Sequence, residues 1–411
     1  MNYKKILKKI IYFSLFIFLF LFVNEFLYNG FVRMRENDEF IYFGFSGIDE
    51  MFKKEGEIKV YWKEYKKHEL MGTDKQYLLY QNNKKRIISV DSLNNISDKL
   101  HDSISDLSIT SSSGKTFIIN EFNNNRMPSY IYNTEGNIFA ISDIEGDFDK
   151  FIQILQRNKV INDSLNWNFG KGHLVLLGDF FDRGNDVTST LWLCYKLETE
   201  AKKFGGQVHF ILGNHEQMNL QGNIKYVQPK YKALAQKLNI PYKEFYWKNS
   251  ELGRWLRSKN SIEIINNILF CHGGISANFI KNKESIETTN KNILKAIEHF
   301  DISKEINKDD TLYKYLNMES PLWYRGYFED WSDYKQATQS EVDAVCNFYK
   351  VQKIIVGHTI VEEIKTHFNG KVIGIDVIRH YDNKKNKPSA LLIENEKFYS
   401  VNELGQKFPI K

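Results

Sequence analysis

Five short polar motifs in the chain carry residue types that bind metal ions and activate water. They read SDIEG at residues 142–146, GDFFDRG at 178–184, GNHE at 213–216, CHGG at 271–274 and VGHT at 356–359. Together they offer carboxylate, amide and imidazole groups, which are common ligands of divalent metals in proteins. One aspartate or histidine after a strand is usually a cap or turn residue. Five such motifs, each following an apolar strand-like run, predict instead one composite functional site.

The elements that must position these motifs follow a regular α/β pattern. Apolar β-type runs at 138–142, 174–177 and 208–212 alternate with helical periodicity near 148–157 and 187–204. This βαβαβ order predicts a layered α/β domain. Because α/β folds gather catalytic residues at the C-terminal ends of their strands, the motifs are expected to come together. Later strands are predicted at 268–271, 354–356, 371–375 and 390–393.

In this order the five motifs resemble the signature of calcineurin-like metallophosphoesterases. The full GDxxDRG, GNHE and HGG wording resembles the phosphoprotein-phosphatase branch of that family. The strings GRWLRS at 253–258 and PLWYRG at 321–326 look like those of its bacterial members, including the Shewanella-like phosphatases, and the match spans residues 138 to about 376. The resemblance implies a four-layer αββα sandwich that holds two divalent metals at one edge, and a hydrolase that acts on phosphate esters.

The resemblance also implies a ligand set for the metals. Asp143 would bind the first metal, Asp179 would bridge both, and Asn214, His272 and His358 would complete the second. A bridging carboxylate lets two cations about 3.5–4 Å apart share one water and lower its pKa. The implied reaction is direct attack of a metal-bridged hydroxide on phosphorus, without a phosphoenzyme, as in protein Ser/Thr phosphatases. A Tyr-phosphatase or small-molecule specificity stays open.

The first motif departs from the family pattern. That pattern reads DxH, whereas this chain reads Asp143-Ile144-Glu145. Glu145 could bind the first metal directly or through a water, or it could point away and leave a weaker site. As a ligand it would replace a neutral imidazole by an anion and favour hard ions such as Mn²⁺ or Mg²⁺ over Zn²⁺. Manganese is therefore the expected metal, with iron or zinc as alternatives.

The resemblance assigns further residues to the chemistry around the metals. His215 would protonate the leaving alkoxide, Asp182 would orient and charge-stabilise its imidazole, and Arg183 would hold phosphate oxygens. Asp182 could instead be only a turn residue, and Arg183 only a structural ion pair. Arg325 in the PLWYRG string and Arg254 in the GRWLRS string are further candidates for phosphate contact.

Net charge and cysteine content exclude some classes of function. The net charge is only +5 over 411 residues, so no nucleic-acid partner is expected. Three distant cysteines, at 194, 271 and 346, argue against a disulfide framework and a CxxC-type zinc site. The expected partner is a phosphorylated substrate, either a phosphoprotein or a small phosphoester. Two alternatives remain: hydrolysis of a phosphoanhydride such as a dinucleoside polyphosphate, and an inactive binding module, which only Glu145 supports.

The first thirty residues differ in character from the rest. Four lysines within the first nine residues precede an apolar run at 10–23. No alanine occurs before Ala140, so a retained membrane anchor over residues 1–30 is favoured over a cleaved signal peptide. The lysines predict a single-pass orientation with the catalytic domain outside the cytoplasm. Residues 31–135 are expected to form a small β-rich region that could be a stalk, a subdomain or a cover, and residues 136–411 the catalytic domain.

Overall fold

The computed structural model describes residues 3–29, 35–36, 40–41, 48–54, 57–62, 70, 72–122, 127–300, 307–331, 334–377 and 389–410. The chain divides into two compact units, Met1–Glu69 and Leu70–Lys411. The predicted division between residues 135 and 136 does not coincide with the boundary between these units. The reason is that the strands after Leu70 pack with the residues that follow them.

Within its described residues, the first unit contains one helix and two strand pairs. Helix α1 spans Tyr3–Asn29. The strands are β1 (Arg35–Glu36), which pairs with β2 (Phe40–Ile41), and β3 (Ile48–Lys54), which pairs with β4 (Glu57–Trp62). The large apolar side chains from Ile11 to Val23 are exposed. In the part of the chain that is described, no helix combines the length and the apolar character needed to cross a membrane.

The second unit begins with antiparallel strands in residues 70–122, called the β-rich segment below. Three strands form one sheet and two form a hairpin: β5 (Tyr77–Gln81), β6 (Lys84–Val90) and β7 (Ile96–His101), then β8 (Leu107–Thr110) and β9 (Thr116–Ile119). Asn82 and Asn83 join β5 to β6 with φ of 49° and 61°. A two-residue hairpin turn needs this left-handed backbone, and asparagine tolerates it better than most residues.

Two six-stranded sheets form the centre of the second unit. In chain order their strands are β10 (Ile131–Tyr132), β11 (Ile138–Ile141), β12 (His173–Leu176), β13 (Gln207–Phe210), β14 (Ile262–Ile265), β15 (Ile268–Cys271), β16 (Lys353–Val356), β17 (Thr366–His367), β18 (Val372–Gly374), β19 (Ala390–Glu394), β20 (Lys397–Val401) and β21 (Lys407–Pro409). One sheet has the order β13-β12-β11-β19-β20-β21, and the other β10-β14-β15-β16-β18-β17. Strands β11 to β13 are parallel, and so are β15, β16 and β18. The C-terminal ends of each parallel set therefore lie together.

Helices flank both sheets. They are α2 (Phe148–Arg157), α3 (Val187–Lys203), α4 (Asn214–Gln221), α5 (Pro229–Leu238), α6 (Glu251–Leu256), α7 (Ile286–His299) and α8 (Gln339–Tyr349), with 3₁₀ turns at Tyr242–Tyr246, Phe279–Asn282 and Tyr313–Tyr315. Helix α3 packs on β13 of the first sheet, and α7 packs on β14 of the second. This arrangement accounts for the two outer layers of the fold.

The alternation of side chains along each strand explains the two inner layers. In β11, Ile138 and Ala140 face the core between the sheets, which also contains Ile355 of the opposite sheet. Phe139 and Ile141 point the other way, into the core shared with the helices. A strand buried on both faces must be apolar throughout, which is why these runs are continuous in the sequence. The predicted four-layer α/β architecture, with two sheets between outer helices, is confirmed.

Candidate metal centre

The five polar motifs follow closely after β11, β12, β13, β15 and β16. Tight turns hold Asp143, Asp179 and His358 in the left-handed backbone region, with φ of 52°, 58° and 62°. Residues with a side chain rarely adopt this conformation, so these turns must be held in place by the surrounding structure. Gly178 precedes Asp179, and a Cβ added there would lie 2.8 Å from His272 Nδ1. The second and fourth motifs are therefore in direct contact.

Four of the predicted ligands converge on one buried point. The ligand atoms of Asp179, His272 and His358 all lie within 4.8 Å of one another. His272 Nε2 is 3.2 Å from Asp179 Oδ2 and 3.0 Å from Asn214 Oδ1. All four side chains are buried. These are the residues that the sequence assigned to the second metal, and the structure brings all of them together.

Backbone carbonyls hold one nitrogen of each of the two histidine rings, so the other nitrogen of each ring is the one that could bind a metal. His272 Nδ1 lies 2.6 Å from Leu177 O, a pure acceptor, so Nδ1 carries the proton. Its Nε2 faces the oxygens of Asp179 and Asn214. Burial lowers the pKa of His272, but the carboxylate of Asp179 outweighs it and raises the pKa to about 10, so without a metal Nε2 carries a proton that a cation could replace. A backbone carbonyl holds His358 in the same way through Nε2, at 3.1 Å. Such second bonds are usual for histidine ligands, and this donor set fits a divalent metal.

The charges in this group favour an anionic bridge. Burial disfavours ionisation of Asp179, but the attraction of His272 and His215 holds its pKa below the usual range of a carboxyl. Burial and the charge of His272 lower the pKa of His358 far below that of free histidine. Asp179 is therefore a carboxylate at neutral pH, and His358 is a neutral imidazole, which is the form that binds metals.

A second group of possible ligands shares Asp179 with the first. It consists of Glu145, Asp179 and His215, whose ligand atoms also lie within 4.8 Å of one another. Asp143 is in neither group among the described residues, although its Oδ2 accepts a hydrogen bond from His358 N at 3.1 Å, and burial raises its pKa. Asp179 thus lies between the two groups, where a bridging ligand is required. The roles of Asp143 and Glu145 as ligands stay predictions.

Glu145 turns into the site. Its side chain is 14% exposed and forms an ion pair with Arg183 NH1. The interpretation that Glu145 points away into solvent is therefore not what the structure shows. Arg183 forms an ion pair, which agrees with the alternative that its role is structural. Its side chain is nevertheless 45% exposed, so the guanidinium stays accessible to a ligand. The two residues predicted to hold a metal and a phosphate are in direct contact.

His215 and Asp182 form a buried pair beside the metal groups. His215 Nδ1 is 2.5 Å from Asp182 Oδ2, and Asn219 Nδ2 donates to that same oxygen at 3.0 Å and to His215 O at 2.9 Å. Burial lowers the pKa of His215, but the charges of Asp179 and Asp182 outweigh it and the net shift is upward. Asp182 is therefore more than a turn residue, because it orients an imidazole that can carry a proton at Nε2.

A cleft of about 400 Å³ opens beside His215. Arg183 and Arg325 both line it, together with Tyr226 and Trp323. The Arg183 guanidinium lies 5.0 Å from the ring centre of Tyr226, and Arg325 NH1 donates to the backbone carbonyl of a motif histidine at 2.8 Å. Two arginines thus meet in one cleft next to the histidine, which is the placement that phosphate contact requires.

Arg254 lies elsewhere, and its predicted contact with phosphate finds no support. Its Nε donates to Lys248 O at 2.9 Å, and its guanidinium stacks on Tyr80 of the β-rich segment at 4.0 Å from the ring centre. The reason is that α6, which carries Arg254, packs against β5. Arg254 is therefore turned toward the β-rich segment.

Three residues of the site were not singled out from the sequence. The Glu216 carboxylate accepts three backbone N–H groups at 2.7 to 2.8 Å, two from the second motif and one from its own motif. Burial and the charge of Asp179 raise its pKa, while these N–H groups act against the shift. The place of Glu216 within GNHE was an available signal, and Asn219 lies one helical turn after His215. Tyr226 carries no pattern that distinguishes it.

Comparisons with known proteins agree on the kind of site. The family model for calcineurin-like phosphoesterases matches residues 136–362, which contain all five motifs. Shewanella-like protein phosphatase 1 of Plasmodium berghei (strain Anka) is 31% identical over 280 residues, covering 66% of this chain and 75% of that protein. The crystal structure of a cold-active protein-tyrosine phosphatase from a psychrophilic Shewanella species gives a TM-score of 0.74 at 30% identity, covering 82% of this chain and 99% of that one. The symmetrical bis(5'-nucleosyl)-tetraphosphatase of Wigglesworthia glossinidia brevipalpis is 28% identical over 158 residues, covering 36% of this chain and 50% of that protein.

Proposed function

This chain belongs to the calcineurin-like phosphoesterase family and is a metallophosphoesterase, and we propose that it hydrolyses phosphomonoesters on proteins. The observation that supports this most directly is the cleft lined by Arg183 and Arg325, which adjoins both His215 and the two metal groups. A relative of known structure is described as a protein-tyrosine phosphatase. That description favours an aryl phosphate substrate here over the Ser/Thr-type specificity predicted from the sequence.

The family uses two divalent metals. We assign the second to Asp179, Asn214, His272 and His358, and the first to Asp143, Glu145 and Asp179. When bound, such metals lower the pKa of a shared water and neutralise the phosphoryl oxygens. Glu145 adds a carboxylate where an imidazole is usual, so manganese is the proposed native metal, because Mn²⁺ prefers oxygen ligands more strongly than Zn²⁺ does.

The surrounding side chains would bind and protonate the substrate. Arg183 and Arg325 would donate hydrogen bonds to the phosphoryl oxygens. His215 would give its Nε2 proton to the leaving oxygen, and Asp182 would stabilise the imidazolium and hold its orientation. The ring centre of Tyr226 lies 5.4 Å from that of His215, and both side chains line the cleft. An aromatic wall at this place suits an aromatic leaving group.

The proposal is tested with two peptides of one sequence, one phosphorylated on tyrosine and one on serine. The purified full-length chain is assayed with Mn²⁺, Mg²⁺ or Zn²⁺ added. We expect turnover with Mn²⁺ and a higher kcat/KM for the tyrosine peptide. Asp179→Asn is the control, because an amide cannot supply the negative charge that a bridging ligand needs. A higher kcat/KM for serine would restore the Ser/Thr interpretation, and turnover of neither peptide would overturn the proposal.

Two other functions are decided by the same assay. The similarity to a bis(5'-nucleosyl)-tetraphosphatase supports phosphoanhydride hydrolysis as a second candidate. Faster turnover of a dinucleoside tetraphosphate than of either peptide would favour that candidate. Bound metal without turnover of any of the three substrates would indicate the inactive binding module, for which Glu145 was the only support.

The location of the catalytic residues outside the cytoplasm stays a proposal that rests on the sequence alone. The four lysines before the apolar run at 10–23 are its basis. Protease added to intact cells with a permeable outer envelope should digest the protein if the proposal is right. Protection from the protease would reverse it.

A further inference from the structure

The β-rich segment contacts the loop that carries Arg183. This loop, residues 182–186, is called the DRG loop here, and α3 begins directly after it at Val187. The Arg183 side chain is 45% exposed, and its guanidinium contacts Glu145 and Tyr226, so its position depends on these contacts and on how the backbone of the loop is held. Arg183 itself has a left-handed φ of 55°, a conformation that the surrounding contacts must maintain.

The start of α3 is capped by a distant residue. Asp186 occupies the N-cap position, but its side chain makes no cap hydrogen bond to its own helix. Instead, Thr188 N donates to Asp74 Oδ2 at 3.2 Å and Ser189 N donates to Asp74 Oδ1 at 2.5 Å. These are the second and third helical residues, whose N–H groups an N-cap side chain normally satisfies. Asp74, in the β-rich segment, therefore performs the capping that Asp186 does not.

The carboxylate of Asp186 contacts the β-rich segment at a second place. Its Oδ1 accepts a hydrogen bond from Ser112 N at 2.5 Å. Ser112 Oγ lies 3.3 Å from Asn185 O, and it accepts a hydrogen bond from Lys230 Nζ at 2.9 Å. The β8–β9 turn therefore contacts the DRG loop at two consecutive residues, Asn185 and Asp186. The loop that carries Asp74 contacts the start of α3.

Asp74 is itself held firmly. It is fully buried, its backbone N donates to Thr110 O in β8 at 3.0 Å, and its carboxylate also accepts from the hydroxyl of Tyr231. That same hydroxyl accepts from Val187 N at 3.0 Å, so the first N–H of α3 is satisfied as well. A buried carboxylate with these partners cannot be removed without leaving several N–H and O–H groups unpaired.

We propose that Asp74 is a positioning residue: by capping α3 from the β-rich segment, it fixes the DRG loop and thereby places Arg183 for phosphate binding. This inference rests on the proposed function of the metal centre and gives the β-rich segment a role in it. Asp74 does not touch the substrate. Its effect reaches the cleft through the backbone of residues 183–187.

The test substitutes Asp74→Asn in the full-length chain. The isosteric amide keeps the size of the side chain, but it turns an NH₂ group toward donors. We expect KM for an aryl phosphate to rise about tenfold, since lost hydrogen bonds to a charged group are of this order. The change in kcat should stay below about threefold, because Asp182, His215 and the metal groups are held by other contacts. Hydrogen exchange should quicken in peptides covering residues 183–190 and stay unchanged in β12.

Three comparisons make the result decisive. In an Arg183→Ala background, Asp74→Asn should no longer raise KM, because the residue through which it acts is gone. Val90→Ala, a buried apolar change in the same segment that cannot affect capping, should lower stability without changing KM. Tyr231→Phe keeps the ring and removes the hydroxyl, and it should raise KM less than Asp74→Asn does. It serves as the test if Asp74→Asn fails to fold.

The proposal is overturned if Asp74→Asn leaves exchange in residues 183–190 unchanged, or if it raises KM equally with and without Arg183. Exchange does not depend on catalysis. If the wild-type chain hydrolyses no phosphoester, the proposed function fails, while faster exchange in the DRG loop still supports the positioning role and unchanged exchange refutes it.

Discussion

Glu216 joins the second and third motifs, and replacing it by glutamine should damage both stability and metal binding. Its carboxylate accepts N–H groups from Asp179 at 2.8 Å, Phe180 at 2.8 Å and Gly213 at 2.7 Å, and its side chain is fully buried. Glutamine keeps one oxygen and turns an NH₂ group toward at least one of these donors. At least one N–H would be left without an acceptor.

The size of the effect follows from these contacts. Hydrogen bonds to a charged acceptor contribute about 1.5–3 kcal/mol, neutral ones about 1 kcal/mol, and a buried unpaired donor costs about 1–3 kcal/mol. Weakening the bonds that remain and orphaning one donor should lower the free energy of unfolding by about 3–5 kcal/mol. Because Asp179 N is one of the three donors, the bridging carboxylate should also shift, and metal content should fall.

Urea unfolding and metal analysis of the purified variant measure both effects. Glu341→Gln is a matched control, because Glu341 occupies the same third position of a helix and caps Thr338 N at 2.8 Å, but it does so in solvent. That control should lose no more than about 0.5 kcal/mol. A loss below about 1 kcal/mol for Glu216→Gln, with unchanged metal content, would show that the three hydrogen bonds do not hold the motifs together.

Three further predictions concern single histidines and the unusual carboxylate. Glu145→His should shift metal preference from Mn²⁺ toward Zn²⁺ or iron in metal titrations, and unchanged affinity and preference would remove Glu145 from the site. His215→Asn should lower turnover by roughly 10²–10⁴-fold with metal content nearly intact. The loss of turnover should be larger for an alkyl phosphate than for an aryl phosphate, because a leaving alkoxide needs the proton more. Loss of both metals would instead make His215 a ligand. Burial and His209 lower the pKa of His173 to about 4. Since the unfolded chain takes up this proton at higher pH, stability should fall as pH drops from about 6.5 toward 4. His173→Gln should reduce that loss of unfolding free energy, measured by urea unfolding at each pH, by about 1 kcal/mol after allowance for solvent screening.

The regular elements and the family were predictable because their information is local. The helical periodicity at 148–157 and 187–204 corresponds to α2 (Phe148–Arg157) and α3 (Val187–Lys203). The apolar runs became strands buried on both faces. The five motifs follow their strands directly, so once the strands are parallel, their side chains must approach one another. Recognition of the metallophosphoesterase family needed only these segments and their order.

The tertiary structure decided which distant residues complete the site. Glu216 bonds to a motif 36 and 37 positions earlier, and Asp74 caps a helix 115 positions later. The guanidinium of Arg254, by contrast, stacks on Tyr80 of the β-rich segment and not in the cleft. A motif or a periodicity does not show which distant groups such a residue will contact, because the donors around a buried carboxylate come together only after folding. The sequence alone could therefore determine the ligands that each strand delivers to the edge of its sheet. The residues that fix the turns between those ligands depend on hydrogen bonds that exist only after the chain has folded.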